Sequence, residues 1–159
     1  MHGLTHPELF QQRAYINGAW VEAAARLPVL NPATGAELGR VPDLGGAETA
    51  QAIKAATAAL PGWRGRLAKE RAALLRRWQE LMLRHADDLA RLITLEQGKP
   101  LAEARGEILY AAAFLEWFAE EAKRVYGQVI PSPWQGRRVL TLKQPIGVAA
   151  LITPWNFPA

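Results

Sequence analysis

The residues best placed to do chemistry lie in Thr153-Pro154-Trp155-Asn156-Phe157-Pro158. Asn156 stands out among them. Its side-chain amide can donate hydrogen bonds to an oxyanion developing on a carbonyl carbon, and it needs no change of charge to do so. One such donor can lower a barrier by about 2.7–4 kcal/mol. A turn asparagine between two prolines, satisfied by local backbone, accounts for the same residues, and on residue type alone both readings stand.

The element before this loop decides where it would lie. Gly147-Val148-Ala149-Ala150-Leu151-Ile152 is a continuous apolar run, which predicts a strand covered on both faces, as in a parallel sheet. In open α/β sheets ligands bind at the carboxyl ends of the strands, which puts 153–158 at the expected functional position. A parallel neighbour needs a crossover of a dozen or more residues, yet only seven follow Ile152. The expectation is therefore the opening of a larger α/β domain, ending just after its first central strand.

The elements upstream are expected to be strands first and helices after. Asn17-Gly18 joins 14–16 to 19–21, a two-residue loop tolerant of positive φ and a strong hairpin signal. A short apolar run at 27–30 is closed by the turn Asn31-Pro32-Ala33-Thr34-Gly35, after which 37–41 is expected to return as a strand. Residues 47–60 have helical spacing on the face Ala50, Ile53, Thr57 and Leu60, with Pro61-Gly62 as the stop. Residues 69–85 carry a stripe of Leu74, Leu75, Trp78, Leu81 and Met82. A shorter helix is expected over 87–97, with Gly98 just past its end. The longest opens at Pro100 and runs to about Tyr126. It carries two adjacent apolar rows, one through Ile108, Ala112, Leu115, Ala119 and Ala122, the other through Ala111, Phe114, Phe118, Ala122 and Val125. Glu103, Glu107, Glu116, Glu120 and Glu121 are expected on its outer side. Residues 127–136 read as a connection, and 139–143 as an edge or pairing strand.

Composition excludes several classes of function. There is no cysteine, so no disulfide, thiolate metal site or cysteine nucleophile exists within these 159 residues. The net charge of +4 comes from residues 64–91, with eight basic side chains against four acids; elsewhere the signs balance at eleven each. The solvated face of an amphipathic helix explains that excess, and no nucleic-acid partner is expected. Residues 1–13 hold no apolar core of signal-peptide length and no stretch approaches a membrane span of about 20 apolar residues, so the default is a soluble, cytoplasmic protein without a membrane partner.

Five motifs in order make the chain resemble the N-terminal section of the aldehyde dehydrogenase superfamily. They are Tyr15-Ile16-Asn17-Gly18-Ala19-Trp20, Asn31-Pro32-Ala33-Thr34-Gly35, Glu96-Gln97-Gly98-Lys99-Pro100, Gln144-Pro145-Ile146-Gly147-Val148 and Thr153 to Pro158. The texture of 103–131, including Tyr110, Phe114, Trp117 and Phe118, is most similar to the succinate-semialdehyde and glutarate-semialdehyde dehydrogenase branch. The implied fold is the N-terminal part of an α/β dehydrogenase: hairpin, helices and the first strand of a Rossmann-type sheet. The implied division is 1–126 for the first part of the cofactor-binding domain, 127–146 for a connection and oligomerisation strand, and 147–159 for the first central strand and active-site loop.

The resemblance implies a reaction as well. A cysteine thiolate attacks the aldehyde, hydride passes to NADP+ or NAD+, and a glutamate-activated water releases the carboxylate. Asn156 matches the family's oxyanion-hole asparagine. Ile152, Thr153, Pro154 and Trp155, with Asn156, match the stretch along the nicotinamide side of the cofactor. Phe157 matches the aldehyde pocket, while Tyr110, Phe114 and Trp117 are candidates for the substrate-entry wall and equally for core aromatics. Arg137 to Pro145 matches a strand through which subunits pair, implying a homo-oligomer. Glu96 matches a peripheral alkali-cation position in some relatives, but a simple helix-end carboxylate is preferred and no metal is assigned. The family's nucleophile, general base, glycine-rich cofactor segment and ribose-binding lysine have no counterpart in these residues, so the isolated chain is expected to be inactive. The alternative is a non-catalytic assembly module that pairs with full-length subunits.

Overall fold

The computed structural model describes residues 3–159. Met1 and His2, the start of the segment read for a targeting signal, lie outside the described residues. After a short 3-10 turn at Pro7–Leu9 comes a hairpin of β1 (Ala14–Ile16) and β2 (Ala19–Val21), paired Ala14 to Val21, Tyr15 to Trp20 and Ile16 to Ala19. Asn17 and Gly18 take φ of 52° and 79°, the backbone that makes a two-residue turn match the strand twist. A second antiparallel pair follows, β3 (Arg26–Leu30) with β4 (Glu37–Pro42). Its turn closes through Gly35 N–H to the Asn31 carbonyl at 2.8 Å, and the Asn31 side chain accepts from Ala33 N–H at 2.9 Å.

Four helices come next among the described residues: α1 (Gly46–Arg64), α2 (Ala68–Arg84), α3 (Ala86–Gln97) and α4 (Leu101–Glu121). Helix α1 runs through Pro61 instead of stopping there. A proline in the last turn removes a single intrahelical bond, and Gly65 N–H still closes on the Pro61 carbonyl at 3.1 Å. The expected apolar face of α1 is not buried, and Ile53 on it is exposed. Helices α2 and α3 both pack on α4. The core between α3 and α4 consists of Ala86, Ala90, Ile93, Ala104 and Ile108, with Met82 and Leu89 against it. Alanine at these contacts lets the two helix backbones approach closely.

Helix α2 turns a different face inward from the expected one. Ala72 and Gln79 are buried, with Leu75 and Met82 half-buried, while Leu74, Trp78 and Leu81 are exposed. Polar bonding fixes that rotation: Arg76 bonds Glu116 at 2.9 Å and Glu120 at 2.5 Å on α4, and Gln79 bonds Glu116 at 3.2 Å. Helix α4 ends at Glu121, five residues short of Tyr126. Of its two rows, the one through Ile108, Ala112 and Ala119 is buried, whereas Phe114, Phe118 and Val125 of the other are exposed. Glu107, expected on the outer side, is only 5% exposed.

Helix α3 stops at Gly98, whose φ is +83° and whose N–H bonds the Thr94 carbonyl at 3.0 Å. A Cβ there would meet Pro32 Cγ at 3.1 Å, so a bare glycine lets the helix end rest on the β3–β4 turn. The chain turns at Pro100 and α4 begins. Beyond α4, β5 (Gln128–Ile130) pairs antiparallel with β6 (Val139–Thr141). β5 falls in the stretch expected to be only a connection.

The apolar run 147–152 forms no strand. All the strands described belong to two-stranded antiparallel sheets, and none of them pairs with 147–152 to complete a ladder. Composition signals what a segment can bury, but strand structure requires a hydrogen-bonding neighbour. Leu151 and Ile152 are 87% and 94% exposed. No helix among the described residues is long and apolar enough to cross a membrane.

Candidate active site at the C-terminal loop

After the uncovered segment the chain tightens. Phe157 N–H donates to the Pro154 carbonyl at 3.0 Å, forming a turn over 154–157. Three polar side chains then hold this turn to the α3–α4 junction. Gln97 Nε2 donates to the Trp155 carbonyl at 3.3 Å, and Lys99 Nζ donates to the Asn156 carbonyl at 2.7 Å. The Lys99 ammonium also lies 4.3 Å from the centre of the Phe157 ring, a cation–π contact. Glu107 pairs with Lys99 and accepts from Ala159 N–H at 3.0 Å. The Lys99 and Glu107 side chains are 11% and 3% exposed, so each charge depends on the other for compensation.

This arrangement leaves the Asn156 side chain free. Its residue is exposed, its carbonyl is held by Lys99, and its side-chain amide makes no hydrogen bond among the described residues. Asn156 lines a groove of about 350 Å³ together with Gln97, Lys99, Glu103, Tyr110 and Phe157. Tyr110 meets Phe114 edge to face at 4.9 Å. Phe114, Trp117 and Phe118 line an adjoining apolar groove of about 290 Å³ that also includes Tyr110. The structure thus brings Tyr110 together with Asn156 and Phe157, and puts Phe114 and Trp117 one step further along α4. All three aromatics are exposed and none is a core residue of this chain.

Ile152, Thr153 and Pro154 stand open to solvent where the chain leads into the turn. Trp155 walls a third hollow of about 590 Å³, together with Pro32, Ile93, Ile108, Pro158 and Glu96. Burial beside those apolar walls pushes the Glu96 carboxyl above its ordinary value. No cluster of acids gathers around Glu96 among the described residues. The group with metal-ligand side chains is His6, His85 and Asp88, whose ligand atoms lie within 4.8 Å of one another. Both Asp88 oxygens there accept backbone N–H bonds, from Thr5 and His6 at 2.8 Å each, and the two imidazoles meet edge to face at 4.5 Å. The cluster fastens the N-terminal segment to the start of α3.

Sequence reasoning named Asn156 and Phe157 but not the residues that hold them. Gln97 and Lys99 lie inside the Glu96-Gln97-Gly98-Lys99-Pro100 motif, whose spacing gives them no role, and the helix pattern places Glu107 on the solvent side. One signal was available: Glu107 lies between Ala104, Ile108 and Ala111 on the apolar face of its helix. A carboxylate there must find a cation or stay neutral.

A model described as the aldehyde dehydrogenase family matches residues 20–159. The chain is 61% identical over 158 residues to a glutarate-semialdehyde dehydrogenase of Pseudomonas putida, covering 98% of this chain and 33% of that protein. It is 60% identical, with the same coverages, to an NADP(+) succinate-semialdehyde dehydrogenase of Escherichia coli. A crystal structure of an aldehyde dehydrogenase from Brucella melitensis superposes with a TM-score of 0.97 at 54% identity, covering 100% of this chain and 33% of that one. The chain therefore spans about a third of the length of the relatives it matches, and it belongs to the aldehyde dehydrogenase family.

Proposed function

We propose that this chain is the N-terminal part of an NAD(P)+-dependent semialdehyde dehydrogenase and contributes the oxyanion donor of its active site. The observation that carries the reading is the loop itself. Its backbone is tied down at Trp155, Asn156 and Ala159, while the Asn156 amide makes no hydrogen bond among the described residues and Asn156 lines a groove. A donor held ready in this way loses little reorganisation energy when charge develops on a substrate oxygen. Phe157 and Tyr110 form the near wall of the aldehyde site, with Phe114 and Trp117 along its entrance. The similarity to enzymes named for succinate and glutarate semialdehydes supports a short semialdehyde as substrate.

The cofactor is NADP+ or NAD+, which accepts the hydride when bound. Residues 152–155 fit one wall of its nicotinamide site, because Ile152 and Trp155 are exposed apolar side chains against which a planar ring can pack. These residues offer no glycine-rich turn for the phosphates, so that part of the cofactor is held elsewhere. With no cysteine in the chain, the nucleophile also comes from outside these residues. We take 1–126 as the start of the cofactor-binding domain, 127–146 as an oligomerisation arm and 147–159 as central strand and active-site loop, in a cytoplasmic homo-oligomer.

A second reading, an assembly module, is favoured by one feature. Among the described residues the β5–β6 pair has two strand edges without partners, and Val129, Leu140 and Leu142 on or beside it are exposed. An uncovered edge can recruit another strand. The test grafts residues 1–159 onto the remainder of the Escherichia coli relative in place of its own first third. The graft should reduce NADP+ with succinic semialdehyde, and the 159-residue chain alone should not. A folded graft with no turnover contradicts the dehydrogenase reading. Capture of intact subunits by the isolated chain supports the second.

A further inference from the structure

We infer that Lys99, charge-balanced by Glu107, is a positioning residue that sets where the Asn156 amide points. The inference rests on the reading of Asn156 as oxyanion donor and goes beyond it, because it assigns the placement of that donor to a buried ion pair on a different element. Lys99 directs its ammonium at three things: the Glu107 carboxylate, the Asn156 carbonyl and the Phe157 ring. Glu107 uses its other oxygen on Ala159 N–H. The pair therefore grips the loop at the Asn156 carbonyl and again at the Ala159 N–H, without bonding the side-chain amide.

The physical need for such a grip follows from the rest of the segment. Among the described residues, 142–154 have no strand partner, and the side chains of the loop are mostly exposed, so within this chain apolar packing does little to locate it. Charged hydrogen bonds with little access to water can do so, because they are short, directional and weakly screened. The geometric demand at the site is strict. A donor must lie about 2.7–3.1 Å from the developing oxyanion, and a displacement of about 1 Å can cost about 100-fold in rate. Helix α4 supplies the rigid side of the grip, since Glu107 lies between the buried Ala104 and Ile108.

The test uses Lys99→Met, which keeps the aliphatic stem and deletes the charge, and Lys99→Arg, which restores it. In the 159-residue chain, Lys99→Met should speed hydrogen exchange at the Phe157 and Ala159 amides by about 10- to 100-fold, with the α3 and α4 amides unchanged. In the grafted enzyme it should lower kcat by about 100-fold while KM for aldehyde and cofactor stays within a few-fold. Lys99→Arg should recover a large part of both. Three results overturn the inference. One is exchange at 157 and 159 that Lys99→Met does not change. Another is acceleration spread evenly over α3 and α4, which makes the pair a general stabiliser. The third is a raised KM with unchanged kcat, which makes Lys99 a ligand contact. A wild-type graft with no turnover removes the oxyanion reading, and exchange at 157 and 159 still decides whether the pair holds the loop.

Discussion

The α3–α4 seam and the last eighteen residues locate their atoms by different physics. At the seam, Ala86, Ala90 and Ala104 are buried beside Ile93 and Ile108, and the helices are held by close apolar contact over many atoms. From Leu142 onward the large apolar side chains, Ile146, Leu151, Ile152 and Trp155 among them, are exposed. The loop at 154–159 is placed instead by four polar contacts from Gln97, Lys99 and Glu107. The seam gives a rigid base for which the identity of each small residue matters. The loop depends on a few charged groups reaching across from that base, and the donor is precise only if those groups are intact.

Substitutions should expose that contrast, and the largest effect belongs to the seam. Ile108→Ala leaves a cavity between α3 and α4 and should lower unfolding free energy by about 2–5 kcal/mol in a urea titration. Leu151→Ala, the same kind of truncation in the exposed run, should stay within about 0.5 kcal/mol. Equal losses at the two positions would break the comparison.

A smaller effect is expected where a single carboxylate fastens a segment, at Asp88. Thr5 N–H, with His6 N–H in support, holds the Asp88 carboxyl below its ordinary value. The native state therefore gains stability from Asp88 above the ordinary aspartate range, and loses it as pH falls through the lowered value. Asp88→Asn should free residues 3–10 at neutral pH, seen as faster exchange of the Thr5 and His6 amides while α4 is unchanged. In the wild-type chain the same release should appear only in acid below the ordinary aspartate value.

The smallest effect is expected at Glu96. Burial raises its carboxyl pKa, so the native state favours the protonated form, and the advantage present in acid disappears as pH rises through the raised value. Glu96→Gln should raise the thermal midpoint slightly at neutral pH and leave it unchanged in acid. A midpoint that falls at neutral pH would assign Glu96 a favourable charged contact.

How far the sequence revealed this molecule depended on whether the controlling interaction was local. The β1–β2 hairpin was readable because Asn17-Gly18 itself supplies the positive φ. The end of α3 was readable because Gly98 and Pro100 act within a few residues. Helix α2 was misphased because its orientation is set by Arg76 and Gln79 bonding to Glu116 and Glu120 on α4, some forty residues away. The strand expected at 147–152 depends on a neighbour that apolar composition cannot supply. At the site, Asn156 was recognisable from its loop and its family motif. Lys99 and Glu107 were not, because a buried charge pair looks like two ordinary surface charges until the helix face is known.

The central claim is tested most directly by kcat in the grafted enzyme with Asn156 replaced. Asn156→Ala should reduce kcat by about 100- to 1000-fold, with KM little changed and the melting curve of the protein unaltered. A kcat within a few-fold of the parent, in a protein equally stable, would contradict the account.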